Sequence, residues 1–239
     1  MVILDSGHNE YVEGKCNGDF KEWDFNNQMQ YKIMERLLDH GVEVFLTNPK
    51  PEKKDEIGLT KRATLANNYW VSKGKPKAIF ISLHGNAYEN SKVRGTETFH
   101  ATNASSNSKY FAKIVNNEIA NTIKTLDIYA KDRGVKTKDF TVIYKTSMPS
   151  VLIEYAFYSN PDDLRILKNN KDELTEATVK SICRYFSIDY KPIKEDAVNS
   201  NTGTQLFAVC VGAYNKTNAE VVLKEVKEKG YTNSYIIPR

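Results

Sequence analysis

Ala78-Ile79-Phe80-Ile81-Ser82-Leu83-His84-Gly85-Asn86 decides the fold. A short apolar run of this length reads as a buried strand. It delivers a histidine and a glycine at its C-terminal end, the edge where ligand sites gather in open α/β sheets. Working outward, short apolar runs alternate with segments of helical period, which is the pattern of an α/β domain. Upstream lie a helix over Leu59–Val71 and a strand over Val42–Leu46 that Asn48-Pro49 closes. Before them, a helix over Glu22–His40 carries Met29, Ile33, Leu37 and Leu38 on one face and stops at Gly41, and Val2-Ile3-Leu4 makes a first strand. Downstream, Gly95–Ala101 alternates and is expected at the edge of the sheet. Tyr110–Leu126 is a long helix with Phe111, Val115, Ile119 and Ile123 at a stride of four. Thr141–Tyr144 and Ser150–Tyr155 are expected to be strands, and Pro161–Leu167 and Lys171–Phe186 closing helices.

The catalytic-size domain therefore spans 1–190. Residues 191–204, polar and aperiodic, read as a linker. Residues 205–239 form a small β-α-β module: a strand over Gln205–Gly212, a helix over Thr217–Lys229 stopped by Gly230, and a strand over Ser234–Ile237. Alone this module is too small for a good core, so it must pack on the main domain, pair with another copy or be part of a larger fold.

Composition narrows the function. Of 239 residues, 40% are hydrophobic and 27% charged, an ordinary globular balance. The net charge of +4 is spread without an arginine-rich block, so nucleic acid is not the expected partner. No stretch approaches the length of a membrane span, and no basic leader followed by an apolar core is seen at the start, so export by the chain's own signal peptide is not expected. Three cysteines, Cys16, Cys183 and Cys210, form no paired motif and no disulfide framework is expected.

Two of the four histidines, His8 in Asp5-Ser6-Gly7-His8 and His84, fall at the ends of expected buried strands. Two imidazoles at adjacent strand ends can share a metal ion, and a catalytic zinc wants a third protein ligand and one open position. Glu22, opening the first helix, is a candidate, with Asp24 and Cys16 as rivals. His40, beside Gly41 at a helix end, reads as a capping group, and His100 as a solvent-facing residue. Ser150-Val151-Leu152-Ile153-Glu154-Tyr155-Ala156-Phe157 is a buried strand interrupted by one carboxylate. Burying a charge is costly unless it is paired or works beside a metal. Glu154 is accordingly the candidate proton shuttle. To this point the residues support a metal-assisted hydrolase.

These motifs, in order, resemble the zinc-dependent N-acetylmuramoyl-L-alanine amidases of the third amidase type. The resemblance covers about residues 2–186. It rests on Asp5-Ser-Gly-His8, Glu22 with Asn26, Leu46-Thr47, Lys61-Arg62 with Ala66-Asn67 and Ser82-Leu-His84-Gly-Asn86-Ala87. It continues through Gly95-Thr96-Glu97-Thr98, Arg133-Gly134-Val-Lys136 and Val151-Leu-Ile-Glu154-Tyr-Ala-Phe157-Tyr-Ser159-Asn160. It implies a mixed, mostly parallel sheet flanked by helices and Zn2+ held by His8, Glu22 and His84. It also implies a catalytic carboxylate at Glu154 and hydrolysis of the bond between N-acetylmuramic acid and L-alanine in peptidoglycan. Where the family usually runs Gly-His-Gly-Gly, this chain has Gly7-His8-Asn9-Glu10, a departure in the loop rather than in the metal residue. The tail resembles half of a sporulation-related repeat domain, which implies wall binding and, with one β-α-β unit in place of two, a homodimer through the tail. A phage endolysin, held in the host cytoplasm until lysis, is the expected setting, with a secreted autolysin as the alternative. The rivals are another zinc amidohydrolase or peptidase acting on cell wall, and a wall-binding protein without catalysis.

Overall fold

The computed structural model describes residues 1–9, 14, 16–49 and 57–193. The described compact unit is Met1–Pro192. Beyond Ile193, the expected linker and the β-α-β tail lie outside the described residues.

The main sheet has six strands in the order β4-β1-β5-β8-β6-β7. These are β1 (Val2–Ser6), β4 (Val44–Leu46), β5 (Ile79–Asn86), β6 (Thr96–His100), β7 (Asp132–Thr137) and β8 (Ser150–Phe157). All neighbours run parallel except β6 and β8, which pair antiparallel. β2 (Cys16–Asn17) and β3 (Phe20–Lys21) form a separate two-stranded ribbon that leads into α1 (Glu22–Asp39). The remaining helices are α2 (Leu59–Ser72), α3 (Ser106–Leu126), α4 (Thr141–Tyr144), α5 (Pro161–Asn169) and α6 (Lys171–Phe186).

Period-two alternation sorts the central strands onto two faces. One face carries Val2, Leu4, Ile79, Ile81, Leu83, Val151, Ile153 and Tyr155, all fully buried against α1, α3 and α6. Met29, Ile33 and Leu37 of α1 and Phe111, Val115, Ile119 and Ile123 of α3 supply the opposing stripes. Fully burying each such side chain contributes on the order of 1.5–3 kcal/mol. The other face starts the same way, with Ile3, Phe80, Leu152 and Phe99 packed on Ala66, Val142, Ile143 and Met148 from α2, α4 and the loop after it. Toward the strand C-termini it turns polar: Ile3 is followed by Asp5, Phe80 by Ser82 and His84, and Leu152 by Glu154. The apolar half is capped by short helices, and the polar half forms the site.

The structure corrects two expectations. Thr141–Tyr144 is a helical turn, not a strand. The Tyr144 amide donates to the Phe140 carbonyl at 2.9 Å and the Lys145 amide to the Thr141 carbonyl at 3.0 Å, the four-residue spacing of a helix. A four-residue apolar run carries no periodicity to separate the two. Thr96–His100 is not the edge of the sheet but its second strand from the edge, between β8 and β7. The true edge, Asp132–Thr137, went unread because it is charged and partly exposed, as edge strands generally are. Within α2, Ala63 and Ala66 turn inward and Leu59 is exposed. The helix ends follow local chemistry. Asn160 accepts from the Asp162 and Asp163 amides ahead of Pro161, and Gly41 leaves α1 at φ 70°.

Candidate metal centre

Three elements converge at the C-terminal edge of the polar face. β1 ends at Ser6 and leads into Gly7-His8, β5 carries His84, and α1 begins with Glu22. β5 runs on through His84 to Asn86, so His84 projects from the strand itself rather than from the turn after it. Glu22 Oε1 lies 3.1 Å from His84 Nδ1 and Glu22 Oε2 lies 3.2 Å from His8 Nε2. The imidazole rings meet edge to face, 5.6 Å apart. One ligand atom from each of the three residues falls within 4.8 Å of the others, so among the described residues His8, Glu22 and His84 form a group that could hold a metal ion. The rivals for the third position stay outside it: Asp24 is half-buried on α1 and Cys16 is exposed on β2.

Glu22 is only 4% exposed. Burial alone would push its carboxyl up, but hydrogen bonds to His8 and His84 outweigh that and hold it at about 2. The Tyr158 hydroxyl donates to Glu22 Oε2 at 3.1 Å, and its own pKa is driven up by burial and by the Glu22 charge. The site's shape depends on two glycines. A Cβ on Gly7 would stand 2.2 Å from His84 Cε1, and one on Gly14, which sits at φ 76°, would stand 2.9 Å from both Glu22 Oε2 and His8 Cδ2. Backbone here approaches the imidazoles more closely than any side chain permits.

His8 occupies the left-handed region at φ 64°, unusual for a residue with a Cβ. A buried polar clamp holds it there. Arg62 of α2, 1% exposed, donates from Nη1 to the Ser6 carbonyl at 3.0 Å and from Nη2 to the His8 carbonyl at 3.2 Å. Asn48 Nδ2 reaches the same two carbonyls at 2.7 and 2.5 Å, and Asn26 Nδ2 donates to the Gly7 carbonyl at 3.2 Å. Asp5 offsets the Arg62 charge at 3.8 Å and accepts from Thr47 Oγ1 at 2.6 Å and Ser82 Oγ at 2.8 Å. Sequence reasoning assigned none of these residues a role. Asp5 carried the same signal that marked Glu154, a lone carboxylate in a buried apolar strand.

Glu154 sits on β8 directly across from His84 on β5 and Glu97 on β6, so all three side chains share the polar face. Its Oε2 is buried and has no hydrogen-bond partner among the described residues. Burial, then the negative charges of Glu22 and Glu97, raise its pKa well above the ordinary carboxylate range. Glu97 contrasts with it. Asn86 Nδ2 donates to its Oε1 at 2.8 Å, Arg133 Nε donates to its Oε2 at 2.7 Å, and Lys136 Nζ also bonds Oε2. Burial works against ionisation of Glu97, but the Lys136 and Arg133 bonds win and its pKa falls.

The other two histidines lie away from the centre. His40 terminates α1 as expected; its Nδ1 donates to the Arg36 carbonyl at 2.6 Å and its Nε2 accepts from the Lys191 amide at 2.9 Å. His100 is half-buried on β6, not solvent-facing, and its Nδ1 donates to the Ala101 carbonyl at 2.9 Å.

Comparison with known proteins places this geometry in context. The family model described as N-acetylmuramoyl-L-alanine amidase matches residues 2–184. The endolysin of Bacillus phage SPP1 is 29% identical over 241 aligned residues, covering 95% of this chain and 84% of that protein. The amidase LytC of Bacillus subtilis is 28% identical over 77% of this chain but only 35% of its own length. Among solved structures, the catalytic domain of the amidase CwlV from Paenibacillus polymyxa superposes with a TM-score of 0.67 at 27% identity, covering 79% of this chain and 98% of that domain. An amidase from Clostridium difficile 630 gives 0.66 at 28% identity, over 78% and 96%.

Proposed function

This chain belongs to the N-acetylmuramoyl-L-alanine amidase family, and we infer that it hydrolyses the amide between the lactyl group of N-acetylmuramic acid and L-alanine in peptidoglycan, using zinc held by His8, Glu22 and His84, with Glu154 as the proton shuttle. The observation that carries the site assignment is the orphaned Oε2 of Glu154 beside a two-histidine, one-carboxylate cluster. That donor set, two nitrogens and one oxygen, is one that catalytic zinc takes. The glycine cradle of Gly7 and Gly14 fits it, because it leaves both imidazoles and Glu22 free of crowding Cβ atoms. Zinc bound there supplies Lewis acidity toward the scissile carbonyl.

The protein's own groups do the rest. Glu22 and the clamp on the Ser6 and His8 carbonyls fix the two imidazoles. Glu154, without a partner to give up, takes the proton of the attacking water and passes it to the departing alanine nitrogen.

The reading is tested on purified peptidoglycan: lysis must expose new N-terminal L-alanine, and new reducing sugar ends in its place would make the enzyme a glycosidase. Chelation should abolish that release and added Zn2+ restore it; release that survives metal removal contradicts the zinc assignment. We further read residues 205–239 as a wall-targeting module that acts as a pair of copies, in an endolysin-type protein. The likeness to the SPP1 endolysin supports this, since it covers 95% of the chain where the family match stops at residue 184. Removing residues 197–239 should weaken pelleting with cell wall while release of alanine from soluble fragments persists.

A further inference from the structure

We propose that Arg133 and Lys136 form an anion subsite that receives a carboxylate of the stem peptide next to the scissile bond; this rests on the amidase reading above. Both cations come from the edge strand β7 and both bond the same carboxylate, Glu97, whose other oxygen Asn86 already satisfies. Two positive charges on one negative charge leave a surplus of one on this side of the site. Arg133 spends only Nε on Glu97; among the described residues its two terminal amino groups carry no hydrogen bond. The guanidinium carbon lies over the Phe157 ring, 4.9 Å from its centroid, and about a third of the side chain stays open to solvent. A flat guanidinium fork with both terminal amino groups uncommitted is the form that binds a carboxylate in two places.

Its location matches the substrate's chemistry. Glu97 is the direct cross-strand neighbour of Glu154, one strand spacing of about 4.8 Å away. Arg133 and Lys136 meet Glu97 from the side away from Glu154, since β7 flanks β6 opposite β8. A stem peptide whose reacting amide sits at Glu154 and which runs toward β7 advances by ~3.4 Å per residue. The carboxylate borne by its second residue, a D-glutamate, therefore falls at the Arg133–Lys136 pair. Many walls carry this carboxylate as an amide, so the pair would also set which walls are cut best.

The experiment uses the full-length protein loaded with zinc and two soluble substrates that differ in one group. These are N-acetylmuramoyl-L-Ala-γ-D-Glu-L-Lys and the same compound with the D-glutamate α-carboxylate amidated. Wild type is expected to favour the free carboxylate in kcat/KM by about tenfold, the worth of one charge-assisted hydrogen bond, carried in KM. R133Q should bring that ratio close to one, and K136Q should lower it in the same direction. The second variant keeps the test alive if the first does not fold. A wild type indifferent to amidation, or a preference that survives in both variants, overturns the subsite. Absence of new N-terminal alanine from either substrate would instead sink the amidase reading, so the two failures are told apart.

Discussion

Asp5 and Glu154 are both carboxylates set in buried apolar strands on the same face of one sheet, and they have been treated in opposite ways. Asp5, on β1, is fully buried and engaged by Thr47, Ser82 and Arg62. Glu154, on β8, has a buried oxygen with no partner among the described residues. A burial cost that is offset by bonds marks a structural member, and one left standing marks a group held ready for chemistry. Asp5 and Arg62 build the frame that keeps His8 in its left-handed turn; Glu154 is exposed to the reaction.

Substitutions should separate the two residues cleanly. Glu154→Gln is expected to lower the rate of alanine release by roughly 10²–10⁴-fold. It should leave the urea-unfolding free energy equal to wild type or slightly higher, since it removes an unpaired buried carboxylate. Asp5→Ala should do the reverse, costing on the order of 3–5 kcal/mol in the same titration because Arg62 is left buried without its counter-charge. If Asp5→Ala unfolds at the wild-type denaturant concentration, the clamp is not holding the fold. Asn48→Ala removes two hydrogen bonds to the Ser6 and His8 carbonyls and should cost about 1–3 kcal/mol. By loosening His8 it should also weaken zinc binding, read by competition with a chromogenic chelator, about tenfold. Tyr158→Phe, which takes one donor from Glu22, is expected to show the smallest effect, about 0.5–1.5 kcal/mol in stability.

The same contrast explains what the sequence could reveal. Strands β1, β5 and β8 are buried on both faces, so their apolar runs stand out and the histidines and Glu154 stand out against them. β7 is half-exposed and charged and was invisible to that reasoning, while α4 is too short to declare a period. Glu22 could not be separated from Asp24 by composition, because both are first-turn acids. In the structure Glu22 opens the helix facing the histidines, and Asp24, two residues later, is turned about 200° around the axis. The partners of Asp5 come from residues 47, 62 and 82, and only the folded sheet brings them together. An intact ion pair and an orphaned carboxylate therefore look identical along the chain, and the fold alone distinguishes them.

The most direct test of the account sets wild type and Glu154→Gln side by side on purified peptidoglycan, with zinc supplied and folding verified, and counts new N-terminal L-alanine. Wild type is expected to release alanine steadily, and the equally stable variant almost none. Equal release by both proteins, or release of sugar reducing ends by the wild type with no alanine, would contradict it.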